Sequence, residues 1–185
     1  MDDKRDGPLS VEVLPGYEPE IGRLLWMLEA TRGRTKEALE GMDAAVLDWR
    51  PPYDPNSIGT ILYHVATVEM DWLYVEVLER AFPKEVEALL PFDMRDEAGL
   101  LTAVAGLSLD DHRLRLDAAR AYLLDEFRGM TLDDFRRLRH LEQYDVTPEW
   151  VLHHLIQHEA EHRGQIMALR SQAEKVLNGR TGRTD

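Results

Sequence analysis

Apolar residues recur at steps of three and four through four long stretches of the chain, the spacing that buries one face of an α-helix. Ile21, Leu24, Leu25, Leu28, Ala38, Leu39 and Met42 predict a first helix from Glu18 to about Gly41, where glycine closes it. The three prolines of Trp49-Arg50-Pro51-Pro52-Tyr53-Asp54-Pro55 cannot continue a helix, so this stretch is a connector. Asn56 or Ser57 offers the next N-cap, and Ile58, Ile61, Leu62, Val65, Val68, Trp72 and Leu73 predict a second helix toward Arg80. Residues 82–107 are broken by Pro83, Pro91 and glycines and read as an insertion with at most one or two helical turns. Leu114, Ala118, Ala121, Tyr122, Leu124 and Phe127 predict a third helix from Leu109 to Phe127, stopped by Gly129. The polar stretch from Thr131 to Val146 is long for a simple turn and reads as a lid or binding loop. Thr147-Pro148-Glu149 then starts a fourth helix running to about Asn178. No repeat and no β pattern of any length is seen, so the expected fold is an all-α four-helix bundle at 17–178, with a loose arm at 1–16 and a tail at 179–185.

Composition narrows the function. With 22 basic and 35 acidic residues the formal charge is −13, a field that repels phosphate backbones and argues against nucleic acid as a partner. No signal peptide and no membrane-length apolar run is read, which predicts a cytoplasmic protein with no membrane partner. With no cysteine, disulfides, thiolate metal sites and a protein thiol nucleophile are all excluded. Any reactive sulfur must arrive with a ligand.

The candidate chemistry lies in the histidines. At about 100° per residue, His154, His158 and His162 advance by only about 40° each and share one narrow face of the fourth helix. His158 and His162 fall within the apolar stripe of Val151, Leu155, Ile166 and Leu169, with His154 at its edge. A buried imidazole without a partner costs about 1–3 kcal/mol, and a shared cation supplies one. On the second helix His64 shares the side of Ile61, Val68 and Val75, so His64, His158 and His162 form a candidate three-nitrogen metal site. Imidazole suits zinc, nickel, iron or copper, and three protein ligands leave positions open for water or substrate, as in catalytic centres. Asp71 and Gln165 are candidate supporting partners of the ligands, as is His154.

Plainer readings stand beside these. A histidine pair four residues apart also arises by chance, and the three histidines can instead pair with acidic side chains in a metal-free core. His112, His140 and His153 have no partner at ligand spacing and read as surface or ordinary polar residues. The tryptophans read as anchors of core or connector more readily than as substrate platforms. His158-Glu159-Ala160-Glu161-His162 also fits the five-residue zinc peptidase pattern, in which Glu159 would be the base. However, Gln165 and Ala168 stand where the longer metzincin pattern needs Gly and His, and no strand is available to align a peptide.

Two segments, from Ser57-Ile58-Gly59 through His64-Val65-Ala66 and from His154 through His158-Glu159-Ala160-Glu161-His162-Arg163-Gly164-Gln165, resemble the DinB/YfiT-like family of metalloenzymes, as does Trp49-Arg50-Pro51. The resemblance extends from about Glu18 to Leu177. It implies an up-down-down-up bundle, often a homodimer, with a divalent metal ion (Zn, Ni, Fe or Mn) at His64, His158 and His162. It also implies use of a low-molecular-weight thiol such as bacillithiol or mycothiol, which suits a chain without cysteine. The resulting expectation is a metal-dependent transferase, or a hydrolase, acting on a small-molecule substrate. A non-catalytic, metal-binding dimeric scaffold is the alternative. Ile156 and Met167, opposite the histidines on the fourth helix, are candidate dimer contacts.

Overall fold

The local chemistry of the caps sets where each helix begins. In the computed structural model, which describes residues 9–181, Pro19 opens α1 (Pro19–Ala38) at a position where a missing N–H costs nothing. The helix ends three residues before Gly41, whose φ of +72° turns the chain away in a conformation glycine adopts freely. Asp43 caps the short α2 (Ala44–Asp48) by accepting from the Val46 N–H. Of the two candidate caps for α3 (Ile58–Asp71), Ser57 is the one used, its Oγ accepting from Thr60 N–H at 3.1 Å. The insertion holds α4 (Lys84–Leu89) and is tied to α3 where Tyr63 Oη meets both backbone groups of Phe92 and where Thr60 Oγ1 accepts from Val104 N–H. Ser108 and Asp111 form a reciprocal capping box for α5 (Leu109–Phe127).

The four long helices α1, α3, α5 and α7 (Pro148–Thr181) enclose one apolar core, with α1 and α3 both packed on α7 and α5 packed on α3. The bundle is as expected. The outer parts of the expected arm and tail, residues 1–8 and 182–185, lie outside the described residues. Of the rest of the arm, Leu14 donates its N–H to the Gly22 carbonyl and packs on the core.

Three departures from the hydrophobic pattern have identifiable causes. First, α3 continues as a π-helical stretch, Trp72–Val77, so its register slips. Val75, which a regular helix would place on the same buried side as His64, is 41% exposed. Second, the buried face of α5 is not the Leu114, Ala118 and Ala121 stripe. It is Leu116, Ala119, Leu123 and Phe127, together with the polar His112 and Arg120, while Leu114 is 69% exposed. Two stripes of similar apolar content run along this helix, and the buried one was disguised by the two polar residues it carries. Third, the 131–146 connection is ordered. It forms α6 (Leu132–Arg136) and a two-residue antiparallel pair, β1 (Arg139–His140) with β2 (Asp145–Val146), too short for period-two patterning to reveal. The buried Arg139 guanidinium fastens it, donating to the carbonyls of Val77, Asp134 and Arg137. Ile156 packs on the chain's own core, whereas Met167 is exposed.

His112 is fully enclosed against Gly59, and neither ring nitrogen has a hydrogen-bond partner. Burial, reinforced by Arg115, lowers its pKa to about 4 against the opposing pull of Asp48 and Asp111. An unfolded chain takes up this proton near pH 6.5. Its contribution to stability is therefore present above about pH 6.5 and lost as pH falls toward about 4. His112→Gln should flatten the fall in urea midpoint between about pH 7 and about pH 5; an unchanged slope would show that His112 does not drive it.

Candidate metal centre

His64 lies midway along α3, and His158 and His162 occupy successive turns of α7 on the side that faces it. The three Nε2 atoms converge: His158 Nε2 is 3.2 Å from that of His64 and 3.0 Å from that of His162. One ligand atom from each residue lies within 4.8 Å of the others. Two imidazole nitrogens bound to one ion at about 2.1 Å stand roughly 3.0–3.4 Å apart for bond angles of about 90–110°. The observed separations fall within that span.

The protonation chemistry agrees. Gln165 Oε1 sits 2.7 Å from His162 Nδ1, and an amide oxygen can only accept, so Nδ1 is the donor in this contact and Nε2 is the nitrogen turned toward the other two histidines. Burial lowers the pKa of His64 to about 4, helped by the charges of His162 and Arg95. Burial lowers that of His158 to about 3, helped by His162, His64 and His154. Both rings are thus neutral near pH 7, with no proton to displace before a cation binds. Three crowded nitrogens cannot all satisfy one another by hydrogen bonding, and His64 Nδ1 is buried without a partner. The donor set fits a divalent cation of the kind imidazole prefers.

Of the candidate supporting residues, Gln165 is in contact with a ligand. His154 is in ring contact with His158, 5.8 Å between centroids, and lies parallel to Trp150 at 5.1 Å. Asp71 lines a different hollow, with Thr67, Phe82 and Phe92, where burial raises its pKa.

Beneath the histidines lies a feature the hydrophobic pattern missed. Arg32 of α1, Glu69 of α3, Arg120 of α5 and Glu159 of α7 form a buried ionic cluster, with one member from each long helix. Arg32 bonds Glu69 Oε2 at 2.6 Å and Glu159 Oε1 at 2.8 Å; Arg120 bonds Glu69 Oε1 at 2.7 Å and Glu159 Oε2 at 3.2 Å. Arg32 also donates to the Leu116 carbonyl, and Arg120 to the Leu28 carbonyl and to Glu29. Burial alone would raise the Glu69 pKa, but Arg120 and Arg32 overcome it and hold the carboxyl below its ordinary value. The signal was present in the sequence: Arg32 continues the Ile21, Leu25, Leu28 stripe. Glu159 precedes His162 by three positions and directly follows His158, so the cluster fixes the axial register between the ligand-bearing helices.

That cluster also bears on the peptidase pattern. Both oxygens of Glu159 are taken by guanidinium groups, so it is not free to serve as a base. The five-residue pattern is present without its chemistry.

On the far side of His154 from His158 opens a cleft of about 490 Å³, lined by Trp72, Leu138, Tyr144, Asp145, Val146 and Trp150 among others. Trp72 links it to the centre, lying 4.4 Å from the His154 ring.

A family model for the DinB superfamily matches residues 27–166. Among curated proteins no match is found. The fold is also similar to the crystal structure of a conserved protein from Enterococcus faecalis, with a TM-score of 0.62 and 17% identity over 80% of this chain and 92% of that one.

Proposed function

Because this chain belongs to the DinB superfamily, we propose that it is a metal-dependent enzyme that holds one divalent ion through His64, His158 and His162 and transfers a small thiol to a small electrophile. The observation that carries this reading is the convergence of three Nε2 atoms from His64, His158 and His162 on one point between α3 and α7. An ion held there supplies positive charge that lowers the pKa of a thiol or water brought to it and stabilises developing negative charge.

The protein's own residues bind and position. His64, His158 and His162 offer Nε2; Gln165 holds the His162 tautomer; the buried Arg and Glu cluster sets the register of α3 against α7. The chain has no cysteine, so the nucleophile comes with the substrate, a role suited to a thiol of the bacillithiol or mycothiol kind. The thiol proton leaves to solvent, the sulfur bonds the electrophilic carbon, and the leaving group departs. With water as the nucleophile the same arrangement supports hydrolysis. We further propose a cytoplasmic homodimer, with exposed Met167 among its contacts. Among the described residues no helix is long and apolar enough to cross a membrane.

Bacillithiol-dependent turnover of a chloronitrobenzene electrophile by the metal-loaded protein should fall by about 100-fold or more in His158→Ala. Equal turnover in the two proteins would contradict the proposal. A second reading, a metal-binding scaffold without turnover, draws on the lack of any carboxylate hydrogen-bonded to the three ligands among the described residues. Bound metal without turnover on thiol or ester substrates would favour it.

A further inference from the structure

Exposed apolar side chains of a folded chain are usually scattered, yet Leu138, Tyr144 and Trp150, each between 43% and 48% exposed, surround a single hollow. The Trp72 ring also faces it, 5.3 Å from Trp150 and 6.2 Å from Tyr144 between centroids, the latter pair stacked within 25° of parallel. The hollow is therefore faced by flat π surfaces. It is also rigid: Tyr144 Oη donates to the buried Glu76 carboxylate at 2.9 Å, and the buried Arg139 holds the hairpin that carries Tyr144 and Val146.

Charge restricts the occupant further. Asp145 is the charged side chain in the lining and no lysine or arginine is among the lining residues, while Glu76 lies behind Tyr144 with its second oxygen buried and unpartnered. With a formal charge of −13 over the whole chain, an anion is disfavoured here, and ring faces backed by carboxylates favour a neutral or cationic guest. The position connects it to the centre, since Trp72 touches His154, and His154 touches His158.

We infer that the Trp72, Tyr144 and Trp150 cleft is the subsite that seats a flat aromatic ring, neutral or positively charged, of a small molecule whose reactive end reaches the three histidines. The cleft's own binding is independent of the metal; its role as a substrate subsite rests on the metal-centre reading above. The tryptophans at 72 and 150 are then a substrate platform, not only anchors.

The test uses the full chain, zinc-loaded and metal-stripped, with three ligands that share a ring and differ in charge: indole, tryptamine and indole-3-acetate. Calorimetry should give binding of one indole or tryptamine per chain in both metal states, with indole-3-acetate weaker by about threefold or more. Trp150→Ala should weaken indole by about tenfold while keeping its metal content, whereas Tyr53→Ala, an exposed aromatic outside the cleft, should leave binding unchanged. Replacing zinc by paramagnetic cobalt should broaden the proton signals of bound indole. Unchanged affinity in Trp150→Ala, tightest binding by the anion, or a change in oligomeric state in Trp150→Ala with no ring binding would overturn the inference. Absence of cobalt broadening in a protein that demonstrably holds cobalt would sever the cleft from the centre. A wild-type protein that binds no metal yet binds indole through Trp150 would instead remove the metal reading and leave an aromatic binding cleft.

Discussion

Arg120→Ala should lower the free energy of unfolding by about 3–5 kcal/mol, measured by urea denaturation at neutral pH. The substitution leaves Glu69 with Arg32 alone, a second carboxylate in a nearly dry core sharing the same guanidinium, and a gap where the side chain passed between helices. Surface ion pairs behave differently. Lys36 with Asp117, both well exposed, should contribute less than about 1 kcal/mol. The buried cluster has a further signature: replacing Arg32 and Arg120 by Met and Glu69 and Glu159 by Leu together should cost less than Arg120→Ala alone, because the one carboxylate then left without its partner, Glu29, is 40% exposed and reaches water. A single substitution costing under about 1 kcal/mol would show that the ionic cluster is not what ties the four helices together.

The second large effect is on the metal. His64→Ala or His158→Ala removes one of three nitrogens and should abolish stoichiometric binding at micromolar ion, with loss of the chelator-sensitive part of Tm. Gln165→Leu keeps all three ligands but frees the His162 ring to rotate and change tautomer, and should weaken affinity by about 10–100-fold. Titration with a competing zinc indicator separates the two cases. Equal affinity in Gln165→Leu and wild type would mean that the 2.7 Å contact does not orient the ligand.

How far the sequence could be read depended on what was buried. The histidine triad was legible because α7 is regular from Pro148 onward, so positions 158 and 162 stay on one face, and because Ser57 starts α3 at a definite point from which His64 follows. The same reasoning failed at Val75, where six π-helical residues shift the register, a local strain that propensity does not announce. It failed on α5 for a more instructive reason. Hydrophobic counting treats Arg120 and His112 as solvent-facing, whereas the core takes Arg120 because Glu69 and Glu159 meet it there, contacts 51 and 39 positions away in sequence. Pairing across helices is a tertiary fact. The 131–146 segment was recognised as too long for a turn, yet its order comes from the Arg139 side chain reaching the Val77 carbonyl, 62 positions distant. The same three-nitrogen cluster would have been harder to believe from His158 and His162 alone, since a pair at this spacing is common; His64 from a facing helix makes it specific.

The most direct measurement is elemental analysis of untagged protein purified without added metal, beside a folded His158→Ala variant prepared identically. Close to one divalent ion per chain in the wild type and essentially none in the variant is the expected result. No metal in the wild type even after reconstitution with zinc, nickel, iron or manganese, or equal metal in both proteins, would contradict a centre built on His64, His158 and His162.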